Sequence, residues 1–157
     1  MTDRKRLVLL AAAGSLALLL GAWAFQLAGY APCKLCIWQR WPHGAAVGFG
    51  ALALTSGAAL WLTGGLIAAL TTSGIGLYHA GVEQGWWQGP DTCTSGPVAG
   101  MSVDDLMAQI QSAPLVQCDA VAWAWLGVSM AGWNAILSFG LALLWAAALT
   151  RGRLSGA

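Results

Sequence analysis

The composition of the chain points to a membrane. The chain has 157 residues, of which 58% are hydrophobic and 8% are charged, whereas a soluble globular domain carries about 25% charged residues. Its net charge is +1, and no run of lysine and arginine suggests a nucleic-acid partner. The composition therefore favours a protein embedded in a lipid bilayer and gives no reason to expect nucleic-acid binding.

Long stretches without charged residues indicate the membrane spans. Residues 7–33, 41–82 and 120–150 contain no Asp, Glu, Lys or Arg. A helix needs about 20 apolar residues to cross, so the outer two stretches hold one helix each. The middle stretch holds two, joined by a turn at Thr63-Gly64-Gly65. The first apolar run exceeds that of a signal peptide, so we expect it to be retained. We predict an all-α membrane protein, a single-domain four-transmembrane-helix bundle with spans at about residues 7–27, 43–62, 65–82 and 127–149.

Positive charges near the span ends predict the orientation. Most lysine and arginine residues lie at the two termini, namely Arg4, Lys5, Arg6, Arg151 and Arg153. Four spans put both termini on one side, and positive residues favour the cytoplasmic side. We therefore expect a multi-pass protein of a bacterial inner membrane, with periplasmic loops at residues 28–42 and 83–126. All four cysteines lie in these loops, in a compartment where disulfides persist.

Tryptophan and glycine positions suggest how the helices sit and pack. The chain has ten tryptophans, and those at predicted span ends favour anchoring at the membrane interface. They are Trp23, Trp38, Trp41, Trp61, Trp123, Trp125 and Trp145. Stacking of Trp38 or Trp41 on a ring-shaped ligand is the alternative. Gly44 and Gly48, spaced as G-x-x-x-G, fit a helix–helix contact.

A short amphipathic helix is predicted inside the second outer loop. Val103, Leu106, Met107 and Ile110 have the spacing that puts them on one helix face. Ser102 suits the N-cap, and two aspartates follow in the first turn. We expect the apolar face to rest on the bilayer surface or on the top of the bundle.

Cys33 and Cys36 form a Cys-x-x-Cys pair at the start of the second apolar helix. The preceding proline suits a helix start, and the free N–H groups and dipole of a first turn favour a thiolate at Cys36. Arg40 follows one turn later on the same face, where it would stabilise that thiolate or bind a carbonyl oxygen of a ligand. With Cys93 and Cys118 as a second pair on the same side, the pattern predicts electron transfer through disulfides.

The same residues admit other chemistries. His43 lies near enough to the pair for a proton role, although an interfacial histidine is the simpler interpretation. His79 and Glu83, four residues apart, could pair or relay protons. Zinc binding is disfavoured, because structural zinc sites usually show two close cysteine pairs. Static disulfides would explain Cys93 and Cys118, but a bridge across two residues closes a small, easily reduced ring.

At these residues the chain resembles the disulfide bond formation protein B (DsbB) family. The resemblance is carried by the Pro-Cys-x-x-Cys-Ile-x-x-Arg block at residues 32–40, by four spans, and by a second outer loop with two cysteines. Residues 78–83, 86–87 and 118–130 are also similar to family members. The resemblance covers nearly the whole chain.

The resemblance implies a partner and an electron acceptor. The partner would be a periplasmic DsbA-type thiol oxidase, and the acceptor a membrane quinone, either ubiquinone or menaquinone. By position, the partner would attack Cys93, and the freed Cys118 would attack the Cys33–Cys36 disulfide at Cys33. Cys36 would leave as a thiolate beside the quinone. The four cysteines are thus the expected catalytic residues, and no metal is expected. The expected quinone-binding residues are Cys36, Arg40 and His43.

A second class of function stays open. A structural or assembly protein of the membrane, with periplasmic loops stapled by disulfides, would share the spans and the cysteines. Such a protein would not be reoxidised by quinone after mild reduction, which separates the two interpretations.

Overall fold

Five helices and one short hairpin make up the part of the chain that the structure describes. The structure is a computed structural model, and it describes residues 2–91, 93, 102–112 and 116–154. The helices are α1 (Asp3–Leu27), α2 (Lys34–Ser56), α3 (Ala59–Glu83), α4 (Val103–Ser112) and α5 (Met130–Leu154). The strands β1 (Ala124–Trp125) and β2 (Val128–Ser129) pair antiparallel immediately before α5.

The four long helices form a closed ring. The helix α1 packs on α2, α2 on α3, α3 on α5, and α5 back on α1. Among the described residues, three helices are long and apolar enough to cross a membrane: Asp3–Leu27, Ala59–Glu83 and Met130–Arg151. The helix α2 is nearly as long, with 23 residues, but its first turns are polar. The helical membrane fold agrees with the sequence, and a count of four spans stays a prediction.

The predicted turn between the second and third helices was misplaced. The helix α2 ends at Gly57, which adopts the left-handed conformation (φ 69°) that glycine tolerates as a C-cap, and α3 starts directly afterwards. Residues 63–65 lie inside α3 instead. A Cβ on Gly65 would come within 2.6 Å of the Trp145 ring, so this glycine serves close packing and not a turn.

The start of α2 agrees with the helix start predicted at the Cys-x-x-Cys pair. Cys33 acts as the N-cap, and its side chain accepts a hydrogen bond from the Cys36 backbone N–H. Residues 34–42, which the sequence placed in the first outer loop, are therefore helical. The polar first turns of the helix therefore carry the Cys-x-x-Cys pair and Arg40 as one rigid unit. This rigidity fixes the geometry of the site.

The core at the end away from the cysteines is built from small residues around one large ring. Trp145 is fully buried there with Val8, Ala53, Leu62 and other apolar residues, so the prediction that it anchors at the interface was wrong. The predicted helix contact of Gly44 and Gly48 was wrong too, because no described residue of another helix lies within 4 Å of the Cβ position of either glycine. The close approach in α2 is at Gly50, against Ala12 of α1.

The helix α4 forms as predicted. Ser102 accepts a hydrogen bond from the Asp105 backbone N–H at 3.2 Å and donates to its carboxylate at 2.6 Å. Val103 and Met107 are exposed, so neither is covered by the described part of the chain, while the side chain of Ile110 lies outside the described residues. The predicted contact of this face with the bilayer stays a prediction.

Candidate active site

The Cys-x-x-Cys pair is a reduced dithiol at the N-terminus of α2. Cys33 is buried, Cys36 is partly buried, and both are free. The Cys33 thiol donates to the Cys36 sulfur over 2.9 Å, and the Cys36 backbone N–H donates to the Cys33 sulfur over 3.2 Å. The cap position of Cys33 thus forces the two sulfurs together.

The two thiols differ in acidity. The hydrogen bond from Cys33 lowers the pKa of Cys36 to about 7, against the opposing effect of burial. Arg40 acts in the same direction and is the smallest of the influences on this pKa. The hydrogen bond to Cys36, followed by burial, raises the pKa of Cys33 far above its usual range. Cys36 is therefore the thiolate of the pair near neutral pH, and its stabilisation comes mainly from Cys33 and less from Arg40 than the sequence suggested.

The second cysteine pair lies against the first. Cys93 and Cys118 form a disulfide, with their Cα atoms 5.3 Å apart, and the Cys118 backbone N–H donates to the Cys93 carbonyl over 2.6 Å. Both pack in one buried cluster with Cys33 and Leu35. The relative exposures of Cys93 and Cys118 are only 1% and 0%, so the bridge is not presented to solvent as an outer loop would suggest. Residues 94–101 and 113–115 lie outside the described residues.

His79 joins the dithiol from α3. Its Nε2 atom lies 3.5 Å from the Cys33 sulfur and 3.8 Å from the Glu83 carboxylate. Both side chains are about 95% buried, and Glu83 Oε2 has no hydrogen-bond partner among the described residues. The spacing of His79 and Glu83 was noted in the sequence as a weak signal, and the structure brings both to the cysteines.

A buried row of polar side chains connects His79 with His43. Gln39 Nε2 lies 3.0 Å from His79 Nδ1, Gln39 Oε1 accepts from Asn134 Nδ2 over 2.7 Å, and Asn134 Oδ1 lies 2.9 Å from His43 Nε2. Thr72 also contacts Asn134, at 3.2 Å. His43 is therefore a buried, hydrogen-bonded side chain and not an interfacial one.

A mainly apolar cavity of about 460 Å³ opens beside Cys36 and Arg40. It lies between α1, α2 and α5, and His43, His79 and Asn134 also reach its wall. The aromatic lining residues are Phe25, Tyr30, Trp123, Trp125 and Trp133. Trp38 and Trp41, considered for stacking, do not line this cavity. Its size and lining suit a flat apolar ring with a few polar substituents.

Arg40 ties α1 to α2 at the cavity wall. Its NH1 group donates to the Gln26 side chain over 2.7 Å, and its NH2 group lies 3.4 Å from the Ala22 carbonyl. Its Nε is buried without a hydrogen-bond partner in the part of the chain that the structure describes. The Nε–H donor of Arg40 therefore remains unused beside Cys36 and the cavity.

The sequence interpretation missed three residues of the site. Gln39 was passed over between Cys36 and Arg40, and Asn134 and Trp123 were not connected with the cysteines. A signal for Asn134 existed, because it is the single asparagine of the chain and falls in a predicted span, where a polar side chain indicates function by default. Trp123 is placed by the hairpin, since its carbonyl accepts the Met130 N–H and its ring packs edge-on to Phe25 at 5.1 Å.

Comparison with known proteins identifies the family. The model of the family described as "Disulfide bond formation protein DsbB" matches residues 4–148. The chain belongs to the DsbB family. It is 33% identical to disulfide bond formation protein B of Verminephrobacter eiseniae, over 96% of this chain and 88% of that protein. It is 31% identical to the protein of the same name from Paracidovorax citrulli, over 90% of this chain and 83% of that protein. No solved structure matches the chain.

Membership of the DsbB family confirms the resemblance drawn from the sequence. The chain is a helical membrane protein of disulfide bond formation, and its family supports a disulfide-forming oxidoreductase role. An oxidoreductase of this kind needs redox-active cysteines and a place for an electron acceptor. This chain has a dithiol, an adjacent disulfide and a cavity.

Alkylation of the reduced dithiol should depend on pH in a defined way. The fraction of thiolate at Cys36 rises with pH through about 7, so we expect the rate of iodoacetamide modification to reach half its plateau there. In Cys33→Ala the donor to Cys36 is lost, and the midpoint should move up towards the usual value of about 8.5. Mass spectrometry after timed quenching gives both rates. A wild-type midpoint already near 8.5 would contradict the assigned thiolate.

Proposed function

We propose that this protein is a thiol:quinone oxidoreductase of a bacterial inner membrane. It reoxidises a periplasmic DsbA-type dithiol protein and delivers the electrons to a membrane quinone. The observation that carries the proposal is the close packing of two cysteine pairs and an apolar cavity. A disulfide, Cys93–Cys118, packs on the Cys33–Cys36 dithiol, and Cys36 and Arg40 in turn line an apolar cavity.

The cysteines would carry electrons inwards by thiol–disulfide exchange. A thiolate of the partner attacks Cys93, and Cys118 leaves as a thiolate. Cys118 then attacks Cys33 of an oxidised Cys33–Cys36 pair, and Cys36 leaves as a thiolate. The second thiolate of the partner releases the oxidised partner from Cys93, and Cys93 attacks Cys118, which restores the Cys93–Cys118 disulfide and frees the Cys33 thiolate. The low pKa of Cys36 favours it as the leaving group. Cys93 and Cys118 are both buried. The segment that carries Cys93 must therefore move outwards before the partner thiolate can reach the Cys93 sulfur.

The residues that line the cavity are chemically suited to a quinone. The lining is apolar and aromatic, which suits the ring, and the unused Nε–H of Arg40 is a donor for a carbonyl oxygen. Cys36, Arg40 and His43 are the proposed contact residues. A bound quinone would supply a two-electron acceptor that takes up two protons and leaves as a hydroquinone.

The high reduction potential of the partner requires an electron acceptor such as a quinone. A DsbA-type partner has a reduction potential of about −120 mV, above the glutathione pools of cells. A soluble thiol pool therefore cannot reoxidise it downhill, whereas a quinone in the surrounding lipid can act as the electron sink. The proposed orientation, with both termini cytoplasmic, puts all four cysteines on the periplasmic side, where the partner is found.

Anaerobic reoxidation of the reduced protein tests the proposal. After mild reduction and removal of the reductant, addition of ubiquinone or menaquinone should remove two free thiols per chain, at Cys33 and Cys36, without oxygen. The variant Cys36→Ser is the control and should remain reduced. If the wild-type thiol count stays unchanged with both quinones, the protein is a structural one whose loops are merely stapled.

A further inference from the structure

The orientation of the Gln39 amide follows from a backbone carbonyl. Gln39 Nε2 lies 3.1 Å from the Leu35 carbonyl oxygen, which can only accept a hydrogen bond, so this atom must be the NH₂ group. The same NH₂ group lies 3.0 Å from Nδ1 of His79. Gln39 is buried, and turning its amide around would put two oxygens against each other at Leu35.

Asn134 secures the other end of the Gln39 amide. Its NH₂ group donates to Gln39 Oε1 over 2.7 Å and is also near the Thr72 carbonyl oxygen at 3.4 Å, which again only accepts. Asn134 Oδ1 lies 2.9 Å from Nε2 of His43. Residues of α2, α3 and α5 thus hold the two amides in one direction.

This direction sets the tautomer of His79. Because Gln39 donates to Nδ1, a neutral His79 ring carries its proton on Nε2. That N–H faces the Cys33 sulfur at 3.5 Å and the Glu83 carboxylate at 3.8 Å, and the ring also hydrogen-bonds with the Cys118 backbone. His79 is therefore a hydrogen-bond donor towards the dithiol, and the lone pair on Nδ1, which accepts from Gln39, points away from the sulfurs.

The tautomer decides between two chemistries at this site. The Cys33 and Cys36 sulfurs and His79 Nε2 all lie within 4.8 Å of one another. Sulfur and nitrogen ligands of a tetrahedral zinc ion, with bonds of about 2.3 and 2.0–2.1 Å, are separated by roughly 3.6 Å, close to the 3.5 Å between Cys33 and His79. The two sulfurs are 2.9 Å apart and would have to separate to roughly 3.8 Å. After that small shift the three groups could hold a thiophilic cation if Nε2 offered a lone pair.

We propose that Gln39 is a positioning residue that fixes His79 as a donor to Cys33 and thereby prevents the reduced dithiol from binding a divalent cation such as Zn²⁺. If His79 instead offered the Nε2 lone pair, the dithiol and the histidine together would bind metal ions tightly. A bound cation would then block thiol–disulfide exchange. The inference concerns the dithiol alone and does not depend on the acceptor being a quinone. Its failure would leave the proposed function standing.

The variant Gln39→Glu tests this inference by gain of metal binding. A carboxylate at this position accepts from Nδ1–H, which moves the lone pair to Nε2, and such carboxylate–histidine pairs change metal affinity by about 10- to 100-fold. We expect reduced full-length Gln39→Glu in detergent to bind Co²⁺ 10- to 100-fold more tightly than wild type, with a thiolate-to-cobalt absorption band. The exposed variant Gln84→Glu adds the same charge at the end of α3 and should bind like wild type. Equal Co²⁺ affinity in wild type and Gln39→Glu would overturn the proposal.

A measurement on the unaltered protein covers the case in which Gln39→Glu fails to fold. The chain has only two histidines, so ¹⁵N-histidine labelling gives one set of imidazole signals for each, assigned with His43→Gln. We expect the neutral His79 ring to show a protonated Nε2 and an unprotonated Nδ1. A protonated Nδ1 on neutral His79 in the reduced wild type would refute the role assigned to Gln39.

Discussion

Cys118→Ala is expected to accumulate a mixed disulfide between Cys93 and the partner. Cys93 is a free thiol in this variant, so the partner is supplied as a disulfide with a small thiol; the Cys93 thiolate attacks the partner sulfur and the small thiol leaves. The adduct should persist, because Cys118, the thiol that would resolve it, is absent. Non-reducing electrophoresis followed by mass spectrometry of the linked peptides identifies the cysteine.

The matched variant Cys93→Ala determines which cysteine faces the partner. It leaves Cys118, and because the proposed order of exchange assigns the contact with the partner to Cys93, the adduct yield should be small. Recovery of the partner on Cys118 in this variant, together with no adduct on Cys93 in Cys118→Ala, would reverse the assigned order of exchange.

Arg40→Ala should raise the apparent KM for quinone and lower turnover, while exchange between the loop disulfide and the partner continues. Loss of one charge-assisted hydrogen bond costs about 1.5–3 kcal/mol, which corresponds to roughly ten- to a hundredfold in the quinone step. Arg40→Lys should restore only part of it, because an ammonium lacks the planar fork. Steady-state kinetics with quinone varied, beside single-turnover exchange with the partner, separates the two steps.

Gln26→Ala is the control for a purely structural role of Arg40. Gln26 accepts from the NH1 group of Arg40, so this variant weakens the tie between α1 and α2 and keeps the guanidinium. If Gln26→Ala reproduces the whole defect of Arg40→Ala, the arginine acts by holding the helices together. A defect confined to partner exchange in Arg40→Ala would instead make Arg40 a docking residue.

The sequence predicted the positions of the helices better than the turns between them. Uncharged stretches located the long helices, because burial in lipid demands them, but the turn within residues 41–82 was placed at Thr63-Gly64-Gly65 and lies at Gly57. Gly57 and the pair Gly64-Gly65 look alike in the sequence. The Trp145 ring packed on Gly65 and the Phe49 ring packed on Gly64 explain why these two glycines stay helical, and both contacts join residues on different helices.

The sequence predicted those features of the site that depend on residues close together in the chain. The cap position of Cys33 and the nearness of Cys36 follow from a Cys-x-x-Cys pair at a helix start. The connection from His79 through Gln39 to Asn134 could not be derived in this way, since it joins α3, α2 and α5. The burial of Cys93 and Cys118 was missed for the same reason, because a polar loop was assumed to stand clear of the bundle.

Anaerobic quinone reduction by the purified protein, with a reduced DsbA-type partner in excess, tests the proposed activity most directly. Quinone absorbance and free partner thiols are followed together in wild type and Cys36→Ser. We expect wild type to reduce one quinone for each partner dithiol oxidised, over many turnovers, and Cys36→Ser to reduce none. Oxidation of the partner without quinone loss, or equal rates in wild type and Cys36→Ser, would contradict electron transfer from Cys36 to a quinone in the cavity.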